Sequence, residues 1–191
     1  MVDGPDDYWR INRLLFLLGR IRDAQALPTI AQLVDKTTAG GPPVRDLNPY
    51  IRGRIDMQRV PHYDRLLCLA ACVERLAAPE LAAPMERLLA RPHIGGYCTT
   101  EDEDSAGPNY HSALAEVRLT AAAARCGSRR AAERLVVFLE DCHEILARFA
   151  HSELRAIART DPGRSVSDWR RRLENRSPLP PAPCPDTPPV F

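Results

Sequence analysis

"LGRIRDAQALP", Leu18 to Pro28, decides the fold. A helical pattern runs into Gly19, continues for a turn, meets Asp23, and resumes with a proline inside it. Upstream, Ile11, Leu14, Leu15, Leu18 and Ile21 recur at spacings of three and four, one face of an amphipathic helix that Asp6 or Asp7 can cap. Downstream, Leu27, Ile30, Leu33 and Val34 repeat the pattern, and Pro28 falls in the first turn, where a missing N–H costs least. The stretch therefore reads as a tight corner between two short helices, with Asp23 capping the second and Gly19 allowing close approach of a neighbouring helix.

The same corner recurs. A shift of 55 residues carries Ile11, Leu14, Leu18, Ile21, Ile30, Leu33 and Val34 onto Leu66, Leu69, Val73, Leu76, Met85, Leu88 and Leu89, and Ala24 onto Pro79. A shift of 105 carries Leu14, Leu18, Ile21, Ile30, Leu33 and Val34 onto Leu119, Ala123, Cys126, Leu135, Phe138 and Leu139, and Asp23 onto Ser128, another capping residue. Ile11 falls on Glu116, so the third copy is imperfect at its start. A fourth, degenerate unit runs from His143 to Ile157, followed by "TDPGRSVSD" and a short helix opened by Ser167 or Asp168 and anchored by Trp169. One hairpin cannot bury its own apolar face, so repeated hairpins predict an all-α chain, an α-solenoid of about four stacked hairpins.

Two long segments separate the repeats. Thr37 to Val60 begins with "TTAGGPP" and reads as loop with one helical turn around Tyr50 to Ile55; "RPHIGGYCTTEDEDSAGPNY" is glycine-containing and acidic. From Ser177, "SPLPPAPCPDTPPVF" holds seven prolines in fifteen residues, which forbids helix and predicts an extended, disordered tail without a part in the core. The expected division is thus a helical domain over residues 7–175 and a proline-rich tail over 176–191.

Composition narrows the function classes. Over 191 residues the 26 basic and 25 acidic side chains nearly cancel, which argues against a dedicated nucleic-acid or anionic-membrane binder. Only Lys36 is a lysine, and the arginine surplus fits GC-rich coding as well as bidentate recognition of carboxylates or phosphates. Six cysteines without C-x-x-C spacing read as reduced thiols, and the acidic N-terminus lacks the features of a signal peptide; both point to a cytoplasmic protein.

Motifs that carry chemistry are few. "CHEILARFAHSE", Cys142 to Glu153, begins as a zinc-protease helix would, but Ala147 stands where the second histidine is required, and His151 lies two turns beyond His143. Cys68 and Cys72, four apart on one helix, sit among Leu67, Leu69, Ala70, Ala71 and Val73 and read as core. The loop His93 to Asp104 gathers His93, Cys98 and four consecutive acids without the spacing of a calcium loop, so it reads as solvated. No catalytic residue, metal ligand set or cofactor motif is assigned from the sequence. On the second helices, Arg87, Arg91, Arg130 and Arg134 point away from the apolar face and form a candidate basic ridge, with Glu86, Glu133, Glu140 and Asp141 nearby to pair with it.

"LGRIRDAQALPTIAQLV" resembles the HEAT-like repeat of the phycocyanobilin-lyase type, with its leucine-glycine pair, corner aspartate and early proline. The closing stretch "AHSELRAIARTDPGRSVSDWRRRLE", Ala150 to Glu174, resembles the tryptophan-bearing end of bacterial HEAT-like modules, except that Ala158 and Arg159 replace a loop glycine. The order of parts, with "IGGYCTT" between repeats, is similar to helical modules at the C-terminal end of some bacterial FAD-dependent oxidoreductases. That resemblance implies a non-catalytic interaction or scaffold module, accessory to a protein partner or a covalently linked enzyme domain. No G-x-G-x-x-G follows a strand, so no flavin site is expected in this chain. Two alternatives share the repeat: a HEAT-like nucleic-acid binder or DNA glycosylase using the arginine ridge with Trp9 and Trp169 for stacking, and a bilin-lyase-like chaperone.

Overall fold

A computed structural model describes residues 5–37, 60–91, 94–99, 110–175 and 179–184. The proposed turn around Tyr50 to Ile55 and the acidic run Glu101 to Asp104 lie outside them. Among the described residues the chain is all-α, with eight α-helices and no strand: α1 (Pro5–Ile21), α2 (Leu27–Lys36), α3 (Val60–Leu76), α4 (Ala82–Leu89), α5 (Tyr110–Arg125), α6 (Arg129–Val137), α7 (Glu144–Ala158) and α8 (Val166–Glu174). They form four sequential pairs. The first helices pack in chain order, α1 on α3, α3 on α5 and α5 on α7, while α2 packs on α4 and α6 on α8.

The corners explain the pairing. Asp23 accepts a hydrogen bond from the Gln25 N–H at 2.8 Å and caps a 3₁₀ turn, Ala24–Ala26, that leads into α2 with Pro28 in its first turn. Pro79 opens the matching 3₁₀ turn before α4, and Ser128 caps α6 by accepting from the Ala131 N–H at 3.0 Å. Each first helix ends on a residue in the left-handed region: Arg22 (φ 56°), Ala77 (φ 44°), Gly127 (φ 95°) and Arg159 (φ 49°). The first three fall on one another at the same 55- and 105-residue shifts as the apolar faces. Arg159 fills the place where the resemblance called for glycine. The last helix starts from Ser165, which accepts from the Asp168 N–H at 3.3 Å, two residues before the Ser167 expected from the sequence.

Gly19 sits against α3, where a Cβ would lie 2.9 Å from the Cys72 Cα. That approach is what glycine permits, and it sets α1 close on α3. Cys72 and Cys126 are buried, and burial pushes both thiols up to about 12; Cys68 is half-buried. All six cysteines are free.

Two expectations need correction. Leu14 and Ile21 do not join the core: they are 56% and 68% exposed, and Leu15 takes the buried place on α1. The repeat equivalents of Leu14, Leu69 and Leu119, are fully buried, and those of Ile21 are half-buried at Leu76 and buried at Cys126, because α3 and α5 have a first helix on both sides whereas α1 ends the row. The tail is the second. Residues 179–184 form no helix, as prolines require, but Leu179 and Ala182 are buried in the core cluster. The segment crosses the ends of the first helices. The Ala182 N–H donates to the Arg125 carbonyl at 2.9 Å, the Cys184 N–H donates to the Glu74 carbonyl at 2.9 Å, and Arg22 donates to the Cys184 carbonyl at 2.9 Å.

Beneath this strap lie two ion pairs: Arg125 with Glu153 at 2.6 Å and Arg118 with Glu74 at 2.9 Å. Burial, reinforced by Glu153, pushes the Glu74 carboxyl up to about 7 against the pull of Arg118. Arg118 also lies over the Phe149 ring, 4.8 Å from its centroid.

Candidate functional site

The second helices place Arg87, Arg130 and Arg134, Arg91 follows two residues after the end of α4, and the structure engages three of the four. Arg87 forms a bidentate pair with Asp35 on α2, with contacts of 3.0 and 3.2 Å to Oδ1 and 3.0 Å to Oδ2, and that guanidinium holds the Asp35 carboxyl below its ordinary value. Arg91 donates to the carbonyls of Thr37 and Asp35 at the end of α2. Arg134 donates to the buried Glu116 carboxylate. Arg130 stands exposed and is the one member without a hydrogen-bonding or ionic partner among the described residues. Arg87 and Arg91 tie the second pair to the first, and Arg134 ties α6 to α5 within the third, so they do not form a free cationic ridge. Trp169, expected as a stacking surface, is fully buried; its indole N–H donates to the Gly163 carbonyl at 2.7 Å, and its edge meets the His151 ring. The Trp9 side chain lies outside the described residues.

Between α4 and α6 runs an open groove of about 310 Å³. Leu89, Ala131 and Val137 give it apolar walls, and Glu86, Arg130 and Glu133 charge its rim. Loop residues Ile94 to Thr99 lie at one end. Ile94 is buried, Tyr97 packs on the core, and the Tyr97 N–H donates to Glu116 at 2.7 Å. A Cβ on Gly95 would collide with the Arg134 guanidinium and approach the Leu89 carbonyl oxygen to 2.6 Å. The glycine pair in "HIGGYCTT" thus lets this loop lie flat between α4 and α6.

The loop brings Cys98 to the turn between α6 and α7, where Asp141, Cys142 and His143 stand in sequence. His143 Nδ1 lies 2.8 Å from Asp141 Oδ1 and 3.4 Å from the Cys142 Sγ. Asp141 also accepts from the N–H groups of His143 at 2.9 Å and Thr99 at 3.2 Å. The Cys142 N–H donates to the Thr99 carbonyl at 2.8 Å, closing the loop onto the turn. The Cys98 thiol faces the Val137 carbonyl at 3.7 Å, close enough to Asp141 to feel its charge. Burial and these neighbouring acids push Cys98 up to about 12.

The Asp141 side chain is entirely buried and that of His143 is 6% exposed; the ring lies 5.2 Å from that of Tyr110, and its Nε2 is buried without a partner. The ligand atoms of Asp141, Cys142 and His143 all lie within 4.8 Å of one another. His151 takes no part: its Nε2 lies 3.0 Å from Asp161 Oδ1 beside Trp169. Sequence spacing separates Cys98 from Cys142 and gives no sign of their meeting. The one signal was Glu116, the polar break in the third repeat, which anchors both the loop and Arg134.

Comparison with known proteins finds no matching family model, no matching curated protein and no matching solved structure. Among the described residues no helix is long and apolar enough to cross a membrane. Fold and site together define an all-α helical-pair protein with a surface groove and a Cys-His-Asp cluster at the end of that groove.

Proposed function

We propose that the chain is a HEAT-like α-solenoid acting as a non-catalytic interaction module in the cytoplasm, its α1 end covered by a protein partner or a linked enzyme domain. One observation carries this reading. Leu14 is 56% exposed at a repeat position where Leu69 and Leu119 are fully buried. Leu17 and Ile21 extend it into a stripe at spacings of three and four, half or more exposed. Terminal repeats of solenoids ordinarily carry a polar outer face. The opposite end has one, since α8 buries Trp169 and Leu173 and exposes Arg170, Arg171 and Arg172. An exposed apolar stripe on an end helix marks a surface that another layer covers. The recurring corner at the 55- and 105-residue shifts supports the solenoid. The pairing of Arg87, Arg91 and Arg134 leaves the nucleic-acid reading with Arg130 alone of its ridge.

The test is a photo-crosslinker at Leu17 in the cell of origin, with Arg155 on α7 as the control position. A single cross-linked protein species, lost on adding Leu14→Asp, is expected. Cross-linking at position 17 no greater than at 155 would overturn the proposal.

A further inference from the structure

Four acidic side chains are buried among the described residues: Glu74, Glu116, Asp141 and Glu153. Three have an arginine, in Arg118, Arg134 and Arg125 respectively. Asp141 has none. Its partners are two backbone N–H groups and the His143 ring, with the Cys142 thiol beside them and the Cys98 thiol facing the Val137 carbonyl at the same turn. A buried carboxylate needs a countercharge, and every side chain gathered around this one is also a metal ligand in its deprotonated form.

We propose that Cys98, Asp141, Cys142 and His143 bind one divalent ion of the zinc class. The donor set, two thiolates, an imidazole and a carboxylate, suits a borderline-soft ion and not magnesium or calcium, which take oxygen shells. Three of the four donors, on Asp141, Cys142 and His143, already lie within 4.8 Å of one another, and the Cys98 thiol, now 3.7 Å from the Val137 carbonyl, closes in as the fourth. A tetrahedral shell with bonds of about 2.0 to 2.3 Å sets donors about 3.3 to 3.7 Å apart. Cys142 Sγ and His143 Nδ1 are already 3.4 Å apart, while Asp141 Oδ1 and Nδ1 must part somewhat from 2.8 Å.

On binding, both thiols release their protons to solvent, and the imidazole carries its proton on Nε2, leaving Nδ1 to ligate. Nε2 has no hydrogen-bond partner, so ligation through Nδ1 breaks none at Nε2. Both thiols are only half-buried, which gives the ion a route in from the surface. Four protein donors leave no open position, so the ion is structural: it staples the loop Ile94 to Thr99 onto the α6–α7 turn beside Val137, at the end of the groove. This inference does not rest on the proposed function.

The test is titration of the metal-stripped full chain with Co²⁺ under a non-thiol reductant. One ion per chain is expected, with thiolate-to-cobalt charge-transfer absorption, tetrahedral ligand-field bands, displacement by Zn²⁺ and release of two protons. Cys98→Ser and Cys142→Ser should each remove about half of the charge-transfer intensity, one of two thiolates, while Cys68→Ser leaves it intact. His143→Gln should weaken binding by more than about tenfold. X-ray absorption of the wild-type complex gives the sulfur and nitrogen count without any variant. A cobalt spectrum lacking thiolate charge transfer, or one indifferent to both serine variants, would overturn the proposal. So would the absence of cobalt binding by the folded full chain.

Discussion

Arg134 reaches from α6 to the buried Glu116 carboxylate on α5, with Nε 2.7 Å from Oε1, while the Tyr97 N–H donates to the other carboxylate oxygen. The side chain that breaks the third repeat's apolar pattern is thus the post to which the loop between the second and third pairs is tied. Glu116 is 1% exposed at its side chain and has a guanidinium partner one-third exposed, so the charge is held on the protein side of the pair.

Breaking that pair from the arginine side leaves a buried carboxylate without a countercharge. Arg134→Met should therefore cost about 3 kcal/mol. Glu116→Gln keeps an acceptor for the Tyr97 N–H and relieves the buried charge, so it should cost less. Urea denaturation of both variants checks the order, and equal losses would contradict this account of Glu116.

At Gly19 two effects oppose each other. Replacing a mid-helix glycine by alanine gains about 1 kcal/mol of helix propensity. The new Cβ, however, would stand 2.9 Å from the Cys72 Cα, a main-chain atom that cannot rotate away. Overpacking of this kind costs about 1 to 3 kcal/mol, so crowding should win for Gly19→Ala and win by more for Gly19→Val. A thermal midpoint raised by either substitution would show that α1 does not sit this close to α3.

The corner was legible because its determinants are local: Asp23, Pro79 and Ser128 cap or open turns through their own chemistry, wherever the rest of the chain lies. Periodicity found the apolar face of α1 but could not tell that nothing covers Leu14 and Ile21, since burial depends on a neighbour and not on spacing. Within the tail, residues 179–184 are free of helix, as the prolines require, but not free of the core. Composition sees seven prolines. The missed signal was Leu179 and Ala182, three apart, which share a face of a threefold extended chain. The Cys98 and Asp141–His143 cluster was out of reach, because it forms only when a loop flagged as solvated folds back on a turn flagged as a failed motif.

Glu74 makes stability depend on pH in a stated direction. Its carboxyl is raised from 4.5 to about 7 in the folded chain. Between those values the folded state holds a proton that the unfolded state has released, so stability falls as pH rises through that window. The full effect is on the order of 3 kcal/mol. Glu74→Gln should flatten the profile and be more stable than the wild type at pH 8. Denaturation at pH 5 and pH 8 measures it, and a slope unchanged by the substitution would assign the pH dependence elsewhere.

The strap is testable by shortening it. Leu179 is buried against the core, so Leu179→Ala should cost about 2 kcal/mol, the lower end for a core leucine because the site lies at the surface and can relax. Pro180→Ser, at an exposed neighbour, should be neutral. Truncation after Ser177 should cost more than Leu179→Ala. It also removes the Ala182 and Cys184 backbone hydrogen bonds and takes away the Ala182 carbonyl, to which Arg125 donates at 2.7 Å beside its pair with Glu153. The truncated chain should then unfold at lower urea and release the ends of α3 and α5 to hydrogen exchange. A truncated chain as stable as the full one would mean that the tail merely lies on the surface without holding it.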